Sequence, residues 1–193
     1  MKHIFYLHSN ICIIAVYDYI MVKLLENEKI VILTNRGCKF PKKGSRIEVY
    51  DVYSLFEDKQ RKLGSLKKFS TYTNLMNFRR YYKKLREFSN RVIDGEDYFL
   101  YIPNYGVDIA QMLEKDKRCK GYYFIEAGGM SYFPMDYLQK KYNNIGTRIA
   151  NLFRRYLLGI DTNFKLTITS KYKGNVSLTQ EAFPWNNNSR IEV

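Results

Sequence analysis

Four short segments of the chain, residues 4–7, 30–33, 98–102 and 122–125, are apolar at every position rather than at every second one. A strand that alternates can leave one face in water, whereas a strand that is apolar throughout has to be covered on both faces. These segments are interleaved with stretches of helical periodicity, and that alternation is the pattern of βαβ units. The expected fold is therefore α/β, a Rossmann-like parallel sheet with helices on both faces. No internal repeat or glycine-rich linker interrupts the pattern, so residues 1–185 are read as one domain and 186–193 as a polar, frayed tail.

Between the segments, local signals place the helices. His8, Ser9 and Asn10 can cap a helix beginning near Ile11, with Ile13, Val16, Tyr17, Ile20 and Leu24 on one face and Ile14, Met21 and Leu25 widening it toward the sheet. Asp18 and Lys23 interrupt this most apolar stretch, which falls short of the roughly 20 residues needed to span a bilayer. No small-residue cleavage site follows it, so a signal peptide is not expected. Residues 46–53 alternate and read as a strand nearer an edge, and 57–70 as a loop. Leu75, Phe78, Tyr82, Leu85 and Phe88 recur at helical spacing within 74–91, and Asp94 and Gly95 end that helix. Residues 107–116 read as a further helix. Pro134 opens a helical region that breaks near Asn143 and Asn144 and runs on to Leu158 before Gly159, and 164–169 reads as a last strand.

The chain carries 32 Lys and Arg against 19 Asp and Glu, a formal net charge of +13. It should attract polyanions such as nucleic acid, anionic lipid or anionic sugars. Arg79, Arg80, Lys83 and Lys84 on the long helix, and Arg154 with Arg155 later, suit the surface of an anionic membrane; no nucleic-acid-binding motif is present, and nucleic acid is not the expected partner. Frequent Tyr, Phe, Asn and Lys point to a bacterial source. Cys12, Cys38 and Cys119 are odd in number and form no CxxC pair, which fits a reducing, cytoplasmic setting.

Among chemical signatures, GxGxxG, GxxxxGK[ST] and GxSxG are all missing, and His3 and His8 stand in no metal-ligand spacing. Neither metal nor cofactor is called for. The most informative segment is Phe124-Ile125-Glu126-Ala127-Gly128-Gly129-Met130-Ser131-Tyr132, a carboxylate and two glycines just past an apolar strand. Ligands of open α/β sheets collect at the carboxyl ends of strands. Glycines there let a ligand approach the backbone, and a carboxylate beside apolar neighbours can have its pKa raised toward that of a base. The alternative is that Glu126 caps a turn or pairs with an arginine, while Gly128 and Gly129 only make the turn.

This segment resembles the acidic-acidic-glycine motif that follows a strand in the N-terminal Rossmann-like domain of bacterial GT-B sialyltransferases and related capsule and lipooligosaccharide glycosyltransferases. The run from Lys171-Tyr172-Lys173 to Gln180-Glu181-Ala182-Phe183-Pro184 is similar to the segment by which those enzymes leave that domain. The resemblance implies transfer of a sugar, sialic acid among the candidates, from a nucleotide-activated donor to a glycan hydroxyl. Its general base would lie in the acidic motif, and a histidine-proline motif in a C-terminal lobe would hold the donor nucleotide. Here the family's base position is Ala127 and Glu126 matches the first acidic position, so either Glu126 has taken over the role or catalysis is impaired. Neither histidine precedes a proline. The implied protein is an acceptor-side half, with the nucleotide-sugar donor bound through a further domain.

On this basis Glu126 is the expected catalytic base, in an accessible cleft shared with His8 and Tyr101, and Glu126→Gln should leave folding unaffected. His8, Ser9, Asn10, Tyr105, Gly128, Gly129 and Ser131 are the expected substrate-binding residues, with Tyr101, Pro103 and Asn104 near the same rim. The expected partners are a glycan or glycolipid acceptor and, peripherally, the inner face of an anionic membrane. A rival of a different class is a non-catalytic basic protein that binds nucleic acid or an anionic polysaccharide.

Overall fold

A computed structural model describes residues 1–24, 26–35, 37–41, 44–52, 72–103, 107–134, 137, 169–185 and 190–192. Seven strands form one sheet: β1 (Lys2–Leu7), β2 (Lys29–Thr34), β3 (Ile47–Asp51), β4 (Tyr98–Ile102), β5 (Cys119–Ile125), β6 (Tyr172–Ser177) and β7 (Arg190–Glu192). Their order is β3-β2-β1-β4-β5-β6-β7, and every pairing is parallel. The helices are α1 (Asn10–Lys23), α2 (Tyr72–Ile93) and α3 (Asp108–Lys115). The fold is a Rossmann-like α/β sheet, and all four segments that are apolar throughout lie in its central strands.

The reason those segments are apolar throughout is visible on β1, buried along its whole length. Ile4 and Tyr6 point to one face, where they pack with Tyr81, Leu85, Phe88 and Val92 of α2 and with Ile109 and Leu113 of α3. Phe5 and Leu7 point to the other, against Cys12, Ala15, Val16, Tyr19 and Ile20 of α1. The chain adds β2 and β3 on one side of β1, then returns through α2 to add β4 and β5 on the other side. Because crossovers between parallel strands are right-handed, this reversal puts α2 and α3 on the face opposite α1.

Several elements differ from expectation. The buried face of α1 is Cys12, Ala15, Val16, Tyr19 and Ile20; Ile13, Tyr17 and Leu24 are partly buried at its margin. Ile14 and Met21, expected to face the sheet, are 53% and 59% exposed. An all-round apolar helix gives periodicity too little contrast to fix its rotation. The tail was expected to fray, yet Arg190–Glu192 pairs with Asn175, Val176 and Ser177 as β7. β6 lies in a stretch for which no strand is expected from the sequence. Residues 57–70, 138–158 and 164–168, read above as loop, helix and strand, lie outside the described residues.

Lys2 ties β1 to the end of α2. Its ammonium is buried, and it donates to the carbonyls of Val92 at 3.1 Å and Ile93 at 2.9 Å while pairing with Glu96 at 3.2 Å. The last carbonyls of a helix have no partner within the helix, so a cation placed there satisfies them. Asp94 and Gly95, both at positive φ, then turn the chain away. No helix among the described residues is long and apolar enough to cross a membrane.

Candidate functional site at the carboxyl ends of the strands

Strand order reverses at β1, so the switch point of the sheet lies between β1 and β4, and loops at the strands' carboxyl ends form its rim. Two of the expected segments meet there. The loop after β1 supplies Ser9, whose extended backbone and side chain cap α1: its Oγ accepts from the Cys12 amide at 3.3 Å. The same Oγ reaches the Ala127 carbonyl, just past β5, at 3.5 Å. Two residues on, Ile11 lies against Gly128, where an added Cβ would stand 3.3 Å from the Ile11 Cδ1.

His8 is half-buried at this junction, with its Nδ1 3.8 Å from the Cys12 Sγ. Ser9 Oγ is 3.2 Å from the same sulfur. Burial raises the Cys12 thiol above its ordinary pKa, so the group stays a thiol, a weak hydrogen-bonding neighbour for His8 rather than a nucleophile. Asn10 begins α1 and is exposed. Tyr105 and Asn104 lie outside the described residues.

The turn after β5 is tightly specified. Gly128 has φ +92° and ψ −151°, a conformation that side chains disfavour, which accounts for glycine there. Ser131 Oγ accepts from the Ala127 amide at 2.9 Å, the Ser131 amide donates to Gly128 O at 2.8 Å, and the Phe183 amide donates to Ser131 O at 2.7 Å. Ser131 is buried, and its expected contact with substrate gives way to this internal role. Gly129 differs, since a Cβ placed there would meet no atom within 4 Å. Backbone is thus open to a ligand at 129.

Glu126 does not lie open in the cleft. It is 2% exposed, and both oxygens are engaged: Oε1 accepts from the Tyr132 hydroxyl at 2.5 Å, and Oε2 from the amides of Leu178 at 2.8 Å and Thr179 at 3.3 Å. Those amides begin the segment beyond β6, so the carboxylate ties the ends of β5 and β6 together. Hydrogen bonding to Glu126 pushes the pKa of the Tyr132 phenol up, which keeps it a donor. Tyr101 also departs from the rim. It is buried on the α1 side of the sheet, its hydroxyl 3.0 Å from His3 Nδ1 and 3.1 Å from the Tyr19 hydroxyl. The rim therefore brings together His8, Ser9, Ala127, Gly128 and Gly129, and leaves Tyr101 and the Glu126 carboxylate in the interior.

Among the described residues no three His, Cys, Asp or Glu side chains gather in a way that could hold a metal ion. No protein-family model, curated protein sequence or solved structure matches the chain.

Proposed function

We propose that this chain is the acceptor-side half of a glycosyltransferase resembling the N-terminal domain of bacterial GT-B sialyltransferases. It acts in the cytoplasm at the inner face of the membrane on a glycan or glycolipid acceptor. The observation that supports this best is the meeting of the β1 and β5 loops through Ser9 and Ala127 at the carboxyl ends of a parallel sheet, beside open backbone at Gly129. Such a rim suits a polyhydroxylated ligand, because it offers a hydroxyl, an imidazole and main-chain groups along a shallow edge. In the transfer the acceptor oxygen attacks the anomeric carbon of the donor sugar. The bond from that carbon to the phosphate breaks, the nucleotide leaves with the electron pair, and a base takes the hydroxyl proton. With the Glu126 oxygens committed to Tyr132, Leu178 and Thr179, Glu126 holds the rim in shape. His8 is the base we assign, as imidazole exchanges protons near neutral pH.

Calorimetric titration tests this reading. A glycan panel should contain a ligand that binds the chain, and Gly129→Phe, filling open space without touching the core, should weaken that binding at least about tenfold. CMP-activated and UDP-activated sugars should bind no tighter than millimolar, because the chain lacks a phosphate loop. Submicromolar affinity for a nucleotide sugar, or no glycan binding affected by Gly129→Phe, would overturn the assignment.

A further inference from the structure

The two faces of the sheet carry opposite kinds of surface. On α2, Arg80, Lys83, Lys84, Arg86 and Arg91 are exposed, while Tyr81, Tyr82, Leu85, Phe88, Val92 and Ile93 turn into the core. Glu87 is the one acid between Arg80 and Arg91, and it leans toward Lys83 at 4.0 Å. The neighbouring α3 ends in the same layer with Lys115 exposed, followed by exposed Lys117. Across the sheet, α1 carries only Asp18 and Lys23 as charges.

We infer that the α2–α3 layer is the surface by which the protein docks on an anionic phospholipid bilayer. The inference rests on the membrane placement proposed above, though not on any sugar transfer. Lysine and arginine side chains on the outer face of a helix laid flat on a sheet form a shallow, broad array, which matches a plane of phosphates. A single-stranded nucleic acid would want exposed rings for its bases to stack on, and the described rings of α2 are all turned inward. Groove reading would want a protruding helix, whereas α2 packs against the sheet through Tyr81 to Ile93. Attraction of the bilayer for each basic residue near its surface is additive to a first approximation and fades within a Debye length, so it should be strong in low salt and lost in high salt.

The experiment is sedimentation with vesicles of equal parts phosphatidylglycerol and phosphatidylcholine, compared with phosphatidylcholine alone. The parent should bind the mixed vesicles at about 0.1 M salt and release at about 0.5 M. The triple variant Lys83→Glu, Lys84→Glu, Arg86→Glu should bind about 100-fold or more weakly. A control with the same loss of charge elsewhere, Lys23→Glu, Lys29→Glu, Lys120→Glu, should stay within a few-fold of the parent. Circular dichroism checks the fold, and the glutamine counterparts of the α2 triple, which keep helix propensity, should show a weaker loss in the same direction. Equal loss in both triples, equal binding to neutral vesicles, or tighter retention on an oligonucleotide than on the mixed vesicles would overturn the inference. Because no sugar enters the assay, failed glycan binding would leave this result standing, and the converse also holds.

Discussion

At Glu126, two carboxylate oxygens answer three donors, two of them main-chain amides. Glutamine can keep an oxygen toward Leu178 and Thr179 and turn its amide toward Tyr132, whose hydroxyl can rotate to accept, so Glu126→Gln should cost about 1 kcal/mol through loss of charge-assisted bonds. Alanine leaves the two amides unanswered in a poorly hydrated site, and Glu126→Ala should cost about 3 kcal/mol. Urea unfolding midpoints measure both, and an Ala variant as stable as the parent would show that these bonds contribute nothing. The expectation that Glu126→Gln leaves folding untouched is thereby revised. From the sequence alone, a carboxylate and two glycines after an apolar strand marked a strand-end turn correctly. The partners that bury Glu126 come from Leu178 and Thr179, 52 and 53 residues away, and no local signal links them.

For the elements, legibility followed how strongly burial was written into the local pattern. β1, β2, β4 and β5 each hold an unbroken apolar run of four or five residues, and β3, which alternates, does lie at the edge of the sheet. β6 reads Tyr-Lys-Gly-Asn-Val-Ser, with glycine and two buried polar residues, Asn175 and Ser177, so neither propensity nor periodicity announces a strand. Asn175 instead accepts from the Tyr172 hydroxyl at 2.7 Å, an interaction that only the folded strand supplies. The C-terminal end of α2 was foreseen from Asp94 and Gly95, but not the buried Lys2 ammonium that answers its last carbonyls. Lys2→Met keeps the length and the apolar stem while removing the donor. It should cost about 2 kcal/mol, with hydrogen exchange accelerating in the last turn of α2 before it does in β4. Uniform acceleration over both elements would mean that Lys2 does not act on the helix end.

Across the whole molecule, β1, β4, α1 and the turn before β2 are joined through one buried imidazole. His3 contacts the Tyr101 hydroxyl at 3.0 Å and Glu28 Oε1 at 3.2 Å, Tyr19 bonds Tyr101 at 3.1 Å, and the rings of Phe5, Phe99 and Tyr101 surround the imidazole. Burial lowers the His3 pKa from its ordinary 6.5, and the hydrogen bond to Glu28 opposes this without cancelling it. The folded state therefore holds this proton less well than the unfolded chain does. Near pH 7 and above, both states are neutral at His3 and its environment contributes fully. As pH falls through 6.5 the unfolded chain takes up the proton first, so stability should drop by at most about 1.4 kcal/mol per pH unit until the folded state is protonated as well. The slope assigned to His3 is isolated by difference between two proteins that share every other group. His3→Gln keeps an acceptor and a donor in the network but cannot be protonated. It should be less stable than the parent at pH 7, with the gap narrowing from pH 6.5 toward pH 5, measured by urea unfolding at each pH. If the gap were constant over that interval, His3 would not be held neutral by the fold. If it widened, protonated His3 would be stabilised by Glu28 more than burial opposes it.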